Sequence, residues 1–404
     1  MAESKKHHFI PRSVLRRFSQ IDAPGTVFVY DKQRDTNYSL SITDAGMENG
    51  FNTVVVGGER INFETEFGRA DELMAGVHNR LVEVRKITNL SSDDRLVLAD
   101  TTALQLVRTK MFRTTLRSAS RAMIDEFLRV GLLDGEPLPM DEQAARAMAR
   151  EALHEREHQP DILNNKDLLL LEPEPDTRFW ISDDPIVRYN PQPYGENGLS
   201  SPGIEVYWPI AADLALGFMC PTFRRSIEAG LALGDELEES LRDRCNDLRA
   251  AFEKGTPTKI GRGGTAMFLN GLQARSSSRF IYSSDNNFES ARTILSKNPE
   301  LRSVESMVRM GRIGEGPARR ANMPPGLQLV VYGREDHYIA PLTSYEDTPW
   351  GFNATFEYAA HLDMLVADQP WKAAYVFKDG VERRGMRELR ASKSRSGKRL
   401  RDGR

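Results

Sequence analysis

The sequence predicts an α+β protein, with a short N-terminal β element, a helical middle and a mixed β/α C-terminal half. Three observations carry that expectation. TVFVYDK (26–32) is dense in β-branched and aromatic residues and is closed by polar turn residues. From about Asn62 to residue 158 the apolar positions recur mainly at helical spacings. Beyond Pro160 come compact apolar runs bounded by Pro, Asp and Gly, interleaved with further helical stretches.

Taken in order, FNTVVVGG (51–58) reads as an edge strand ending at a Gly-Gly turn. Phe63, Phe67, Leu73, Val77, Leu81 and Val84 then mark one face of a helix. SSDD (91–94) is an N-cap signal for a long helical stretch that runs to Leu133-Asp-Gly and the prolines of EPLP. MDEQAARAMAREALHEREH (140–158) is helical again and is expected to stop at Pro160. DLLLLEPEP, TRFWISDDPIV and IEVYWPI read as strands, with YNPQPYGENGLSSPG (189–203) a loop by composition. One or two helices follow in 226–255, and TAMFLNGLQARSSSRFIYSS (265–284) runs from helix into strand. LQLVVYG, HYIAPL and WKAAYVF supply three later strands. The expected organisation is a core of 1–300, a smaller β-containing extension of 301–382, and a basic, disordered tail of 383–404.

At 404 residues the chain exceeds a single-core size, and 40% hydrophobic with 28% charged residues is ordinary globular composition. Cys220 and Cys245 have no paired spacing, which argues against a disulfide framework or a cysteine zinc site. No run is apolar enough to span a bilayer, and MAESKKHH is too polar for a signal peptide. A cytoplasmic protein without a membrane partner is expected. The net charge of −3 conceals an asymmetry: residues 383–404 hold ten Lys or Arg against Glu388 and Asp402, a net +8. Such a tail can hold phosphate backbones, so nucleic acid or another anion is the partner to test; the plainer reading is a solubilising end.

Among the motifs, HEREH (154–158) has the H-E-x-x-H pattern of zinc proteases, but its charged interior and the nearby Pro160 favour a solvated helix face. FWISDDPIV ends an apolar strand in Ser182-Asp183-Asp184-Pro185; Ser and Asp cap turns routinely, so spacing alone favours a structural turn. Glu64, near a helix start, needs no function beyond the helix dipole. Gln105 and Arg108 lie one turn apart among apolar residues, and a semi-buried guanidinium is a natural anion clamp. GRGG (261–264) lacks P-loop and Rossmann spacing, so no nucleotide cofactor motif is present.

Taken together, KKHHFIPRSVLRRFS, VYDK, LQLVRT and WISDDP resemble a bacterial family catalogued as domain of unknown function 4238. The resemblance rests on Lys6, His7, His8, Pro11, Leu15, Phe18, Tyr30, Asp31, Gln105, Arg108, Thr109, Ser182, Asp183 and Pro185, with Pro209 and Asn270 farther on, over about residues 5–290. It departs at Lys110 and Asp184. It implies an ordered, docked N-terminus and, more loosely, a role in bacterial stress or phage defence.

Two classes of function follow. The first is a metal-dependent hydrolase or nuclease acting on a phosphodiester-like anion. His7, His8, Asp183 and Glu64 would be catalytic, His7 and Asp183 would hold a divalent metal, and Gln105, Arg108, Ser182 and Asn270 would bind substrate. The second is a non-catalytic interaction module, in which the His/Arg/Asp motif is a buried hydrogen-bond network. An open cleft separates the first from the second.

Overall fold

The computed structural model of the chain describes residues 6–56, 59–135, 140–154, 158–191, 198–199, 203–232, 234, 238–261, 263–303, 326–332, 337–342, 373–379 and 381–387. The fold is α+β, and the chain divides into two units. One comprises Met1–Arg188, Val206–Phe218 and Ile227–Ile313; the other comprises Tyr189–Glu205, Met219–Ser226 and Gly314–Arg404.

The larger unit opens with β1 (Lys6–His8), α1 (Arg12–Leu15), β2 (Thr26–Asp31), β3 (Thr36–Ser41) and β4 (Met47–Asn49). β1 pairs antiparallel with β4, His7 opposite Glu48. Ile10, Val14, Leu15 and Phe18, directly after β1, are fully buried. The N-terminal segment is therefore docked into the core. Gly46 allows the approach: its φ of +60° suits glycine, its carbonyl accepts the Phe9 and Ile10 N–H groups, and a Cβ there would meet Ile10 Cβ at 3.0 Å.

β5 (Thr53–Val56) and β6 (Glu59–Asn62) form a hairpin that leads into α2 (Glu64–Val84). α3 (Ser92–Val107) starts at a reciprocal cap: Ser91 Oγ accepts the Asp94 N–H and Asp94 accepts the Ser91 N–H, both at 3.1 Å. The long helical stretch expected from the sequence is two helices. Thr109 takes an extended conformation and its hydroxyl accepts the Phe112 N–H, ending α3 and capping α4 (Lys110–Arg129).

α5 (Glu142–His154) is followed by α6 (His158–Asn164), so the expected stop at Pro160 is corrected. Proline is the third residue of α6, in the first turn, where its missing N–H costs no helical bond. The two histidines of HEREH therefore end one helix and begin the next, and residues 155–157 lie outside the described residues.

β7 (Asp167–Leu171), β8 (Ile181–Ser182), β9 (Val187–Tyr189), β10 (Glu205–Ala211) and β11 (Leu214–Met219) come next, then α7 (Pro221–Ala232), α8 (Glu239–Lys254), α9 (Thr265–Ser276), β12 (Phe280–Ser283) and α10 (Glu289–Lys297). Two four-stranded sheets result, in the orders β7-β11-β10-β9 and β3-β2-β12-β8. Against the second packs a cluster of Tyr30, Trp180, Ile281, Phe288 and Leu295.

The smaller unit contains an antiparallel sheet of β13 (Leu327–Tyr332), β14 (His337–Leu342), β15 (Ala373–Lys378) and β16 (Val381–Arg387), in the order β14-β13-β15-β16. β16 includes Arg383, Arg384 and Arg387, so the first residues of the expected tail are strand. Residues 388–404 lie outside the described residues. Among the described residues no helix is long and apolar enough to cross a membrane.

Candidate functional site

β1 has one edge on β4, and its far side is read by α3. Gln105 Nε2 donates to the Phe9 carbonyl at 2.7 Å and Arg108 Nη2 to the His8 carbonyl at 3.2 Å. The one-turn spacing of the two residues matches successive carbonyls of an extended chain. Arg108 is 3% exposed and also grips Asp71 through two nitrogens, at 2.7 and 3.1 Å. Gln105 and Arg108, expected to bind substrate, are thus engaged with the protein's own N-terminal segment.

His7 is 1% exposed, and its Nδ1 accepts the Asn52 N–H at 2.9 Å. An accepting Nδ1 carries no proton, so the ring is the tautomer protonated on Nε2. Glu64 Oε1 lies 3.7 Å from the same Nδ1 and accepts from Asn52 Nδ2 at 2.6 Å. His7 and Glu64 are therefore brought together, whereas Asp183 lies with other partners. His8 is half-buried with a buried, unpartnered Nε2; burial lowers its pKa, reinforced by Arg12 and Arg108.

Asp183, Ser182 and Asn270 form a second cluster. Asp183 is 1% exposed and accepts four hydrogen bonds: Ser278 N–H at 2.7 Å, Ser278 Oγ at 2.6 Å, Arg279 N–H at 2.8 Å and Phe280 N–H at 2.9 Å. Three of these bonds fall on Oδ2 and one on Oδ1, so both carboxylate oxygens are held. Asn270 accepts the Trp180 N–H at 2.7 Å and donates to the Arg178 carbonyl at 2.8 Å. Gln273, one turn on, accepts the Ser182 N–H at 2.9 Å and donates to the Pro185 carbonyl at 2.8 Å. α9 thus reads the edge of 178–185 as α3 reads the edge of β1. Ser182 Oγ closes a turn by donating to the Asp184 carbonyl at 2.9 Å.

Beside this clasp, burial pushes the Asp184 carboxyl up to about 7, against a hydrogen bond from Thr109 and with help from Asp183. Burial likewise lowers Lys32 to about 8 while Asp183 opposes the shift, and Lys32 Nζ donates to the Ser277 carbonyl.

His7 and Asp183, expected to share a metal, engage different partners. Among the described residues no group of three His, Cys, Asp or Glu side chains is arranged to hold a metal ion.

A small pocket opens next to Asn52. Four arginines line it: Arg108 at the end of α3, Arg113 in the first turn of α4, and Arg146 and Arg150 one turn apart on α5. Val54, Phe63, Phe67, Val107 and Ala149 complete the wall. Three of the guanidinium groups lie over phenylalanine rings, Arg113 on Phe51 at 3.5 Å, Arg108 on Phe67 at 5.0 Å and Arg150 on Phe63 at 5.8 Å. Arg113 donates to the Phe51 carbonyl at 2.7 Å and Arg146 to the Gly50 carbonyl at 3.0 Å. The strand-to-hairpin connection is thus held by His7 at Asn52 and by two arginines just before it.

Charge around this wall is unevenly matched. Glu142 is shared by Arg113 at 3.9 Å, Arg117 at 3.4 Å and Arg146 at 3.2 Å. Arg113 Nε and Nη1, Arg108 Nε and Arg150 Nε are buried without a hydrogen-bond partner. Burial lowers the Arg113 pKa to about 10, and the neighbouring Arg146 adds to the shift.

Arg113, Arg146, Arg150 and Asn52 are the residues that sequence reasoning missed. Their signal was there: two arginines four apart on an alanine-rich helix face, in the same segment whose histidines drew attention instead.

The family described as Protein of unknown function (DUF4238) matches residues 6–287, well over half of the chain. No curated protein and no solved structure matches it. The docked His-His segment, the Gln105/Arg108 reader, the Ser182–Pro185 clasp and the arginine-lined pocket all fall within that span, and the chain belongs to the DUF4238 family.

Proposed function

We propose that this protein binds an anion in the arginine-lined pocket, and that its His/Gln/Arg/Asp motifs are the hydrogen-bond framework that builds and holds that pocket. One observation carries the reading: four guanidinium groups converge on a cavity, and two of them, Arg113 and Arg146, share one carboxylate, Glu142, with Arg117 beside them. Buried cations without full pairing are costly, and an incoming oxyanion supplies the missing acceptors. Calorimetric titration of the full chain with phosphate, sulfate and carboxylates tests it. Wild type should bind at least one of them, and Arg150→Gln should weaken that binding roughly tenfold or more. Equal binding by wild type and Arg150→Gln removes the pocket from the reading.

A second reading, a metal-dependent hydrolase or nuclease, is favoured by the pairing of His7 with Glu64 next to Asn52, which lines the pocket. In it Glu64 steadies His7, and Arg108 and its neighbours hold a phosphodiester. Metal content and phosphodiester hydrolysis, measured for wild type, His7→Ala and Asp183→Ala, test this. A metal lost from a folded His7→Ala protein supports it; metal-free and inactive wild type sinks it. For the basic tail, nucleic-acid binding titrated against salt, with the chain cut after Arg387 so that β16 stays whole, should lose its steep salt slope if the tail is an arm.

A further inference from the structure

We propose that the arginine pocket takes up one bare chloride ion, a halide seated inside the wall rather than a molecule laid against it; this rests on the anion-binding reading. Size decides the class of guest. The space between Asn52, Val54, Phe63, Phe67 and the arginines admits about one water-sized body. A halide is close to that size, whereas sulfate, phosphate and carboxylates are larger and would stand at the mouth. Sign decides the rest: four arginines line the space, and no Asp or Glu does, so a cation would meet only like charge.

The donors are fixed before any guest arrives. Arg108 is 3% exposed; its two terminal nitrogens are spent on Asp71 and the His8 carbonyl, and its Nε is left buried without a partner. Arg113, 6% exposed, spends Nη2 on the Phe51 carbonyl and leaves Nε and Nη1 over. Arg150 leaves Nε. Glu142 stands 3.9 Å from Arg113 and Glu151 3.9 Å from Arg150, beyond hydrogen-bond reach. The leftover N–H groups thus belong to side chains that line the space and are held in place by their other bonds. A water would bring two more donors to a wall short of acceptors, whereas a spherical anion only accepts. The rest of the wall, Val54, Phe63, Phe67, Val107 and Ala149, offers an ion's hydration water no partner. The guest must therefore enter dry. That cost grows with charge, so a singly charged halide enters more readily than a dianion.

The test is chloride NMR of the full chain in gluconate buffer, where binding broadens the chloride line, with bromide, sulfate and phosphate added as competitors at constant ionic strength. Bromide should displace chloride readily, and sulfate and phosphate should bind at least about tenfold more weakly. Ala149→Val, which fills the space and keeps every arginine, should abolish chloride binding and leave the weaker sulfate binding, followed by calorimetry, unchanged. Arg150→Gln, whose side chain is one quarter exposed and tolerates replacement, should weaken both roughly tenfold. If sulfate or phosphate binds as tightly as chloride, or folded Ala149→Val keeps full chloride binding, the halide is wrong and the anion-binding reading stands. Should Ala149→Val fail to fold, the ranking of the anions and Arg150→Gln decide. Chloride binding that survives Arg150→Gln unchanged places the ion elsewhere and overturns the proposal. If no anion binds in the millimolar range, the anion-binding reading fails too.

Discussion

The Asp183 clasp and the arginine pocket are both polar, buried parts of the same unit, yet they are built on opposite terms. Around Asp183 both carboxylate oxygens have donors, and α9 satisfies the flanking backbone on both sides. Around the pocket, guanidinium nitrogens lie buried without partners and one carboxylate serves three arginines. A closed network fixes a fold, because every deletion inside it strands a partner. An open one carries a standing free-energy cost that a ligand can relieve. The contrast separates the residues that hold this protein together from those placed to meet something else.

Removing the clasp is the largest way to break the comparison. Asp183→Ala leaves four donors, two of them fully buried, without an acceptor and should cost about 3–5 kcal/mol in urea unfolding. A loss below about 1 kcal/mol would mean the clasp is not structural. Gln105→Ala comes next, at about 1–3 kcal/mol, because it exposes the Phe9 carbonyl to a dry core.

His78 sharpens the picture from a third position. It is fully buried, edge-on to Trp208 at 4.8 Å, with both ring nitrogens unpartnered, and burial lowers its pKa to about 3. The unfolded ring, near 6.5, binds a proton that the folded one refuses. Its contribution is therefore intact above about pH 6.5 and is lost as pH falls toward about 3, on the order of 2 kcal/mol between about pH 6.5 and 5. His78→Leu should flatten that part of the stability profile; an unchanged slope would show that the ring is not held neutral. The smallest expected effect is on the pocket: Arg150→Gln should change stability by less than about 0.5 kcal/mol while weakening anion binding.

Much of the clasp side was legible in the sequence, because buried polar residues set among apolar ones announce themselves. His7, Gln105, Arg108, Ser182, Asp183 and Asn270 all proved buried. Their partners were not legible: Asp183 is answered by residues 278–280, far along the chain, and only the pairing of β12 with β8 brings them within reach. The pocket was harder still. Arg113 and Arg146 each look like ordinary surface charge, and their convergence depends on how α4 packs on α5. The separation of α5 from α6 around Pro160 was hidden because proline ends a helix or sits in the first turn of one, and local spacing does not choose.

The break at Thr109 is also a joint with geometric meaning. On one unbroken helix Arg108 and Arg113 would be turned about 140° apart around the axis and could not face a common space. By interrupting the helix for two residues, the chain re-aims the second arginine so that both reach one cavity. A threonine that looks like a mere cap is thereby the pivot on which two neighbouring cations become a pair of jaws.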